Sequence, residues 1–173
     1  MREKLGWLLR VRKARPLLLL DAIDRAILGE IEMNARYQNQ DVARKVGLSP
    51  SACWQRIRRL EISGVIRRYI TDIDFAEVEP SLQFSVGVTV TPFGRREQGA
   101  FETNLLASRN ILSADQVTGR FDYILRVIGP DPSAWPLVRA EIDAEGRFIA
   151  SAETHVLVRA AKKFVGFSEL AKK

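Results

Sequence analysis

The stretch from Asn39 to Ser63, NQDVARKVGLSPSACWQRIRRLEIS, constrains the fold more than any other. Val42, Ala43 and Val46 form an apolar stripe at helical spacing. Gly47 follows, where a helix end favours a residue that tolerates the left-handed region. Ser49 can cap a second helix, with Pro50 at its first position, where a missing N–H costs nothing. Cys53, Ile57 and Leu60 then repeat at i, i+4 and i+7 and predict the buried face. At about 100° per residue, Ser51, Gln55 and Arg58 point the other way, with Arg59 beside them. Two short helices joined by a sharp turn, the second apolar on one side and cationic on the other, predict a helix-turn-helix. Such a helix can dock on its own domain while its outer face reaches base edges and phosphates.

Charge concentrates in the same place. Residues 36–69 hold eight basic side chains against two acids, a net of +6, which equals the net charge of the whole chain. An ordinary solvated helix face mixes both signs, whereas a one-signed stretch is the footprint of phosphate contact. Residues 70–173 carry 12 basic and 14 acidic residues, a poor surface for nucleic acid.

The 173 residues suffice for one ordinary domain or two small ones, and 46% apolar with 28% charged residues predicts a globular chain. Cys53 is the only cysteine, so no internal disulfide is possible; a reducing, cytoplasmic setting is the expectation. Its place on the apolar seam reads as core packing, not nucleophilic chemistry. One histidine and one cysteine leave little for a transition-metal site. No Ser/His/Asp or Cys/His pairing and no phosphate-cradling glycine loop is evident, so neither catalysis nor a cofactor is expected.

Residues 1–19 form a basic extension. The apolar run Leu17–Leu20 is too short for a secretory core of roughly 7–15 residues or a membrane span of about 20. The extension is either a basic arm that adds phosphate contacts or a frayed tail. Residues 20–73 make the first domain. Asp21 caps a helix whose stripe is Leu20, Ile23, Ile27, Leu28 and Ile31, ending near residues 34–36. Gly64 stops the recognition helix, and Val65–Ile73 predicts a basic strand, a wing carrying Arg67 and Arg68 beside the phosphate backbone.

The acidic, proline-containing segment 74–81 reads as a linker. After it the period changes. Leu82–Val90 alternates strictly and predicts a strand with one buried face. A helix over Glu97–Ser108 follows, then strands Ile111–Thr118 and Phe121–Ile128 with a tight reversal at Gly119-Arg120. A helix capped by Ser133 extends to Glu145, and Ile149–Arg159 is a last strand. The order β-α-β-β-α-β over residues 82–162 predicts a ferredoxin-like domain, so the fold class is α+β, with residues 163–173 a tail. The second sheet face includes Ser85, Gly87, Thr89, Ile124 and Ile128 and wants a cover, which predicts a homodimer.

The chain resembles the Lrp/AsnC family of transcriptional regulators. The carrying residues are Leu20-Asp21-x-x-Asp24-Arg25-x-Ile27-Leu28, then Val42-Ala43-x-x-Val46-Gly47-Leu48-Ser49-Pro50-Ser51-x-Cys53-x-x-Arg56-Ile57-x-Arg59-Leu60-Glu61-x-x-Gly64-Val65-Ile66. Val117-Thr118-Gly119-x-x-Asp122-Tyr123-x-Leu125-x-Val127 matches the hallmark of the family's effector domain. The resemblance covers about residues 20–162. It implies dimers, often assembled into octamers, that bind double-stranded DNA through a winged helix-turn-helix. It also implies a small effector, usually an amino acid, held between C-terminal domains.

The DNA-binding candidates are Ser49, Ser51, Trp54, Gln55, Arg58, Arg59, Arg67 and Arg68. Trp54 can stack on a sugar or thymine methyl, or pack against the wing. Arg56, at the edge of the seam, either braces the domain through an acid of the first helix or touches a phosphate. Carried over by position, Gly119, Asp122 and Tyr123 are the effector-site candidates. Gly119 admits close backbone approach or serves only the turn; Asp122 pairs with an α-ammonium or is a solvated strand-end charge. The leading expectation is a ligand-responsive, sequence-specific regulator. The alternatives are an architectural DNA-binding protein with weak sequence preference, and an amino-acid-sensing subunit of a protein complex.

Overall fold

The computed structural model describes residues 18–71, 73, 77–162 and 166. The basic extension up to residue 17, positions 74–76 of the expected linker and nearly all of the tail lie outside the described residues. Two compact units emerge, one ending at Ile73 and taking in Lys162, the other ending at Ala161.

The described residues of the first unit form three helices: α1 (Ala22–Met33), α2 (Asn39–Lys45) and α3 (Pro50–Ile62). A reciprocal capping box starts α1: Asp24 N–H donates to Asp21 Oδ1 at 2.7 Å, and Asp21 N–H donates back to Asp24 Oδ2 at 3.3 Å. Gly47, at φ +69°, ends α2, and Leu48 N–H reaches back to Ala43 O at 2.9 Å. That is the left-handed stop which a residue with a Cβ resists. It aims the chain into α3, where Ser49 Oγ accepts Ala52 N–H at 3.3 Å and Pro50 opens the first turn. The core is Ile27, Ile31, Val42, Ala43, Cys53, Ile57 and Leu60, the seams expected from spacing.

The segment after α3 differs from expectation. Val65–Ile73 joins no ladder among the described residues. A strand needs a partner to take its N–H and C=O groups. Here Ile66 N–H returns instead to Leu60 O at 3.1 Å.

The second unit is a four-stranded antiparallel sheet in the order β2-β3-β1-β4. The strands are β1 (Leu82–Val90), β2 (Ile111–Gln116), β3 (Tyr123–Gly129) and β4 (Ile149–Val156). With α5 (Gln98–Ala107) and α6 (Ala134–Ile142) as its crossovers, this is the ferredoxin-like arrangement. Phe84, Val86, Val88 and Val90 of β1 join Tyr123, Leu125 and Val127 of β3 in a core closed by Phe101, Leu105, Trp135, Val138 and Ile142 from the helices.

Three local readings change. A short helix, α4 (Pro92–Arg96), follows β1, because Thr91 Oγ1 accepts Gly94 N–H at 3.0 Å and Pro92 opens the turn. Ser133 sits at the N-cap of α6 but makes no side-chain cap bond: its hydroxyl and its N–H both donate to Asp131 Oδ1, at 2.5 and 2.7 Å. The reversal between β2 and β3 is also wider than Gly119-Arg120. Val117 N–H donates to Asp122 O at 2.9 Å, so the loop closes across Val117 and Asp122.

The face of the sheet away from α5 and α6 carries Gln83, Ser85, Gly87 and Thr89 of β1 and Ile124, Arg126 and Ile128 of β3. Gly87 is buried there by Phe121, whose ring would stand 2.6 Å from an added Cβ. Arg120 lies over that ring, with its guanidinium carbon 5.3 Å from the centroid, and pairs with Glu153. Position 87 therefore needs glycine for space, not for its dihedral angles.

Candidate functional site

Helix α3 separates into two faces. Cys53, Ile57 and Leu60 are buried, while Ser51, Trp54, Gln55, Arg58 and Arg59 are exposed. Burial raises the Cys53 thiol, as an inert core cysteine requires. Ser49 and Ser51 hydroxyls stand 3.2 Å apart at the helix start, so Ser49 spends part of its bonding on the cap. The Trp54 side of the helix is open, with 56% of that residue exposed. Arg67 and Arg68 are both exposed in the segment after Gly64.

The arginines of α3 are not equivalent. Asp24 is fully buried and accepts from Arg56 Nη1 at 2.9 Å and from Arg59 Nη2. Arg56 Nη1 also donates to Asp21 Oδ2 at 2.7 Å. A buried carboxylate persists as an ion only when paired and hydrogen-bonded, and two guanidinium groups meet that need. Arg56 therefore takes the bracing role. The two carboxylates push its already high pKa further up. Asp21 is held below the usual carboxylate range, first by the Asp24 N–H and then by Arg56. Arg59 contributes to the same tie yet remains 47% exposed, leaving donors of its fork toward solvent.

Arg58 has a different environment. Its Nη1 donates to Glu61 Oε2 at 2.8 Å, and its guanidinium carbon sits 6.0 Å from the Trp54 ring centroid. The other Glu61 oxygen accepts the Tyr69 hydroxyl at 2.9 Å. The Tyr69 and Tyr37 hydroxyls lie 3.2 Å apart, with ring centroids 6.1 Å apart. Glu61 is held below its usual range, first by Tyr69 and then by Arg58. Tyr69 is pushed well above its usual range, first by burial and then by Tyr37 and Glu61. Sequence reasoning passed over Glu61 and Tyr69. The i, i+3 spacing from Arg58 to Glu61 was a usable signal; nothing local announced Tyr69.

Beside these helices, a polar cleft of about 340 Å³ lies between the end of α1 and α2. Its Lys45–Glu30 and Arg44–Asp41 pairs already satisfy one another.

The three effector candidates of the second unit stand in three environments. Gly119 is exposed at φ +122°, a conformation that glycine alone adopts easily. Asp122 accepts Val90 N–H at 2.9 Å and Arg95 Nη2 at 3.3 Å, both on Oδ2. Its own N–H donates to Val88 O at 2.8 Å, so the residue ties the loop to β1. Tyr123 is buried on the helix side, edge-on to Phe101, and its hydroxyl donates to Glu102 Oε1 at 3.0 Å. Gln98 Nε2 bridges Glu102 and Gln116 at 2.6 and 2.8 Å. Burial first, then Glu102, pushes the Tyr123 hydroxyl well above its usual range. Gly119 and Asp122 thus share the loop, while Tyr123 points into the core, toward Phe101 and Glu102 of α5. Among the described residues no cluster of three or more His, Cys, Asp or Glu could hold a metal, and no helix is long and apolar enough to cross a membrane.

Two family descriptions match the two units in order: the AsnC-type helix-turn-helix domain over residues 20–61, and the Lrp/AsnC ligand binding domain over residues 83–165. The leucine-responsive regulatory protein of Escherichia coli K12 is 32% identical over 151 residues, covering 87% of this chain and 92% of that protein. The chain belongs to the Lrp/AsnC family. It is a transcriptional regulator with an N-terminal DNA-binding domain and a C-terminal ligand-binding domain.

Solved structures agree on the regulator's fold. An AsnC family regulator of Agrobacterium tumefaciens is 26% identical and superposes with a TM-score of 0.74, covering 83% of this chain and 94% of its own. A transcriptional regulator of Neisseria meningitidis, solved as its L-Met complex, shares the architecture at a TM-score of 0.77 with 24% identity, covering 88% of this chain and 99% of its own.

Proposed function

We propose that this regulator reads DNA sequence with the outer face of α3 and that an amino acid, bound at its C-terminal domain, tunes the interaction. The observation that carries the reading is the split of α3 itself. Its arginines divide between a half-buried brace, Arg56, and exposed donors, Arg58 and Arg59, beside Gln55 and Ser51. Ser51, Gln55 and Arg58 address base edges, where an arginine fork matches guanine O6 and N7 and a glutamine amide matches adenine. Trp54 supplies an apolar contact to a thymine methyl or sugar. Ser49, Arg59, Arg67 and Arg68 address phosphates and fix register.

The amino acid is proposed to sit against the Val117–Asp122 loop. Gly119 allows close approach, and Asp122 Oδ1 is available to an α-ammonium while Oδ2 holds Val90 and Arg95. Tyr123, next in sequence, anchors the end of that loop in the core through Phe101 and Glu102. The homologue's name, leucine-responsive, and the L-Met of the Neisseria complex support an amino acid as the ligand class. The open sheet face, with Ile124, Ile128 and a shallow depression of about 110 Å³ that Leu157 and Arg126 help line, supports a homodimer through the second unit. Assembly of dimers into octamers, a cytoplasmic location and the absence of any catalytic step complete the proposal.

The decisive test is selection of binding sites from random DNA by the full-length chain, followed by titration of the selected and a scrambled duplex at one fixed salt concentration. A ratio of affinities well above ten, with half-sites about one helical turn or a multiple apart, is expected. A ratio near one favours the architectural reading. A thermal-shift screen across the amino acids tests the effector: a specific ligand raises the melting temperature with the logarithm of its concentration. No shift from any of them overturns the effector assignment.

A further inference from the structure

Among the exposed donors of α3, Arg58 alone is held from two sides by its own unit. Glu61 engages Nη1 at 2.8 Å, and the indole of Trp54 lies 6.0 Å from the guanidinium carbon. Glu61 is itself fixed, because its second oxygen accepts the Tyr69 hydroxyl at 2.9 Å. Tyr69 comes from the segment after α3, and its hydroxyl is 3.2 Å from that of Tyr37, in the α1–α2 connection. A helix-surface arginine ordinarily samples many rotamers. This one is tied through a carboxylate to two other parts of its fold.

We infer that Glu61 and Tyr69 are positioning residues for DNA reading, presetting the Arg58 fork so that its remaining N–H donors meet a guanine edge. The inference rests on the proposed reading of α3 as the DNA-contacting helix. Its physical basis is threefold. Glu61 occupies Nη1, and a guanidinium has five donors, so enough remain for a two-point contact with O6 and N7. Ordering the side chain during folding removes that cost from the binding step. The Glu61 charge also repels phosphates, so Arg58 is discouraged from binding backbone at arbitrary sequence. Together these raise the ratio of specific to random affinity, which a purely structural brace would leave alone.

The test uses full-length wild type, Glu61→Gln and Tyr69→Phe on the selected site and on a scrambled duplex at one salt concentration. Glu61→Gln is expected to lower the affinity ratio about tenfold, because random binding strengthens as specific binding weakens. Tyr69→Phe changes no charge and is expected to lower the ratio about threefold to fivefold with the melting temperature nearly unchanged. Site selection repeated with either variant should lose guanine preference at one position per half-site. In an Arg58→Ala background, Tyr69→Phe should have no further effect on the ratio, since its action passes through Arg58. Unchanged ratios, equal losses on both duplexes, or a persisting Tyr69→Phe effect without Arg58 would each overturn the inference while leaving the DNA reading intact. A wild-type ratio near one removes the DNA reading and the inference together.

Discussion

The two units solve the same problem with different chemistry. The second closes fourteen buried apolar residues between a sheet and its helices. Among the described residues the first has seven, and adds a fully buried carboxylate held by two arginines. A small helical unit that displays cationic side chains has little apolar surface to bury. Two of those arginines, the half-buried Arg56 and the still largely exposed Arg59, reach Asp24 and tie α3 to the start of α1. The difference teaches that positive charge on such a helix is not one pool: some of it holds the helix, and some stays exposed, the part we propose reads DNA.

That contrast can be pressed at its apolar end first. Leu125→Ala, at the centre of β3 and fully buried, should destabilise the second unit by about 3–4 kcal/mol. Residue-resolved amide exchange should show loss of protection across β1, β3 and β4 with the first unit unaffected. Comparable losses in both units would dissolve the distinction. Asp24→Ala should cost the first unit about 2 kcal/mol. That is below the figure for a fully buried pair, because Arg56 and Arg59 are 28% and 47% exposed and can turn to water. Fraying of α1 against α3 in the same exchange experiment is the expected signature.

A smaller effect follows from crowding: in Gly87→Ala the new methyl meets the Phe121 ring, at a cost of about 1–2 kcal/mol. Phe121→Ala in the same chain should recover part of it; no recovery would mean that the strand resists the Cβ for another reason.

Acid should separate the units further. Asp21 and Glu61 have depressed carboxyl pKa values in the folded state; Asp131 of the second unit does too, but through bonds to Ser133 in an exposed turn outside the sheet. Their stabilisation is fully present above the unfolded values of about 3.9 and 4.3 and is lost as pH falls through the folded ones. Amide protection in α1 and α3 should decline below about pH 4 before that of β1 and β3; simultaneous loss would show that the ionic ties contribute little. Smallest of all, Arg58→Ala should change thermal stability by no more than about 0.5 kcal/mol, since its Glu61 pair is on the surface, yet discrimination between DNA sequences should fall. A large drop in melting temperature would place Arg58 among the holding residues.

Much of this molecule was legible in advance. The seams Val42–Ala43 and Cys53–Ile57–Leu60, the Gly47 stop and the alternation from Phe84 to Val90 are local patterns, and short-range backbone geometry enforces them. The candidate site was legible only in outline. Arg58 and Gln55 follow from helical phase, but the tie from Arg59 to Asp24 crosses 35 positions and the Asp122 bond to Val90 crosses 32. No window of periodicity reaches that far. The missing ladder at Val65–Ile73 has the same origin: β-branched residues state a preference, and pairing depends on where another strand lies.

By itself, then, the sequence determined the seams of the main helices, the alternation of β1, the stop at Gly47, and that its positive charge gathers in the first unit. Tertiary structure alone decided which arginines are occupied, that Tyr69 reaches Glu61, and that Asp122 fastens a loop to β1. Periodicity is a property of neighbours along the chain. A hydrogen-bond partner is a property of neighbours in space, and folding brings those together from distant parts of the sequence.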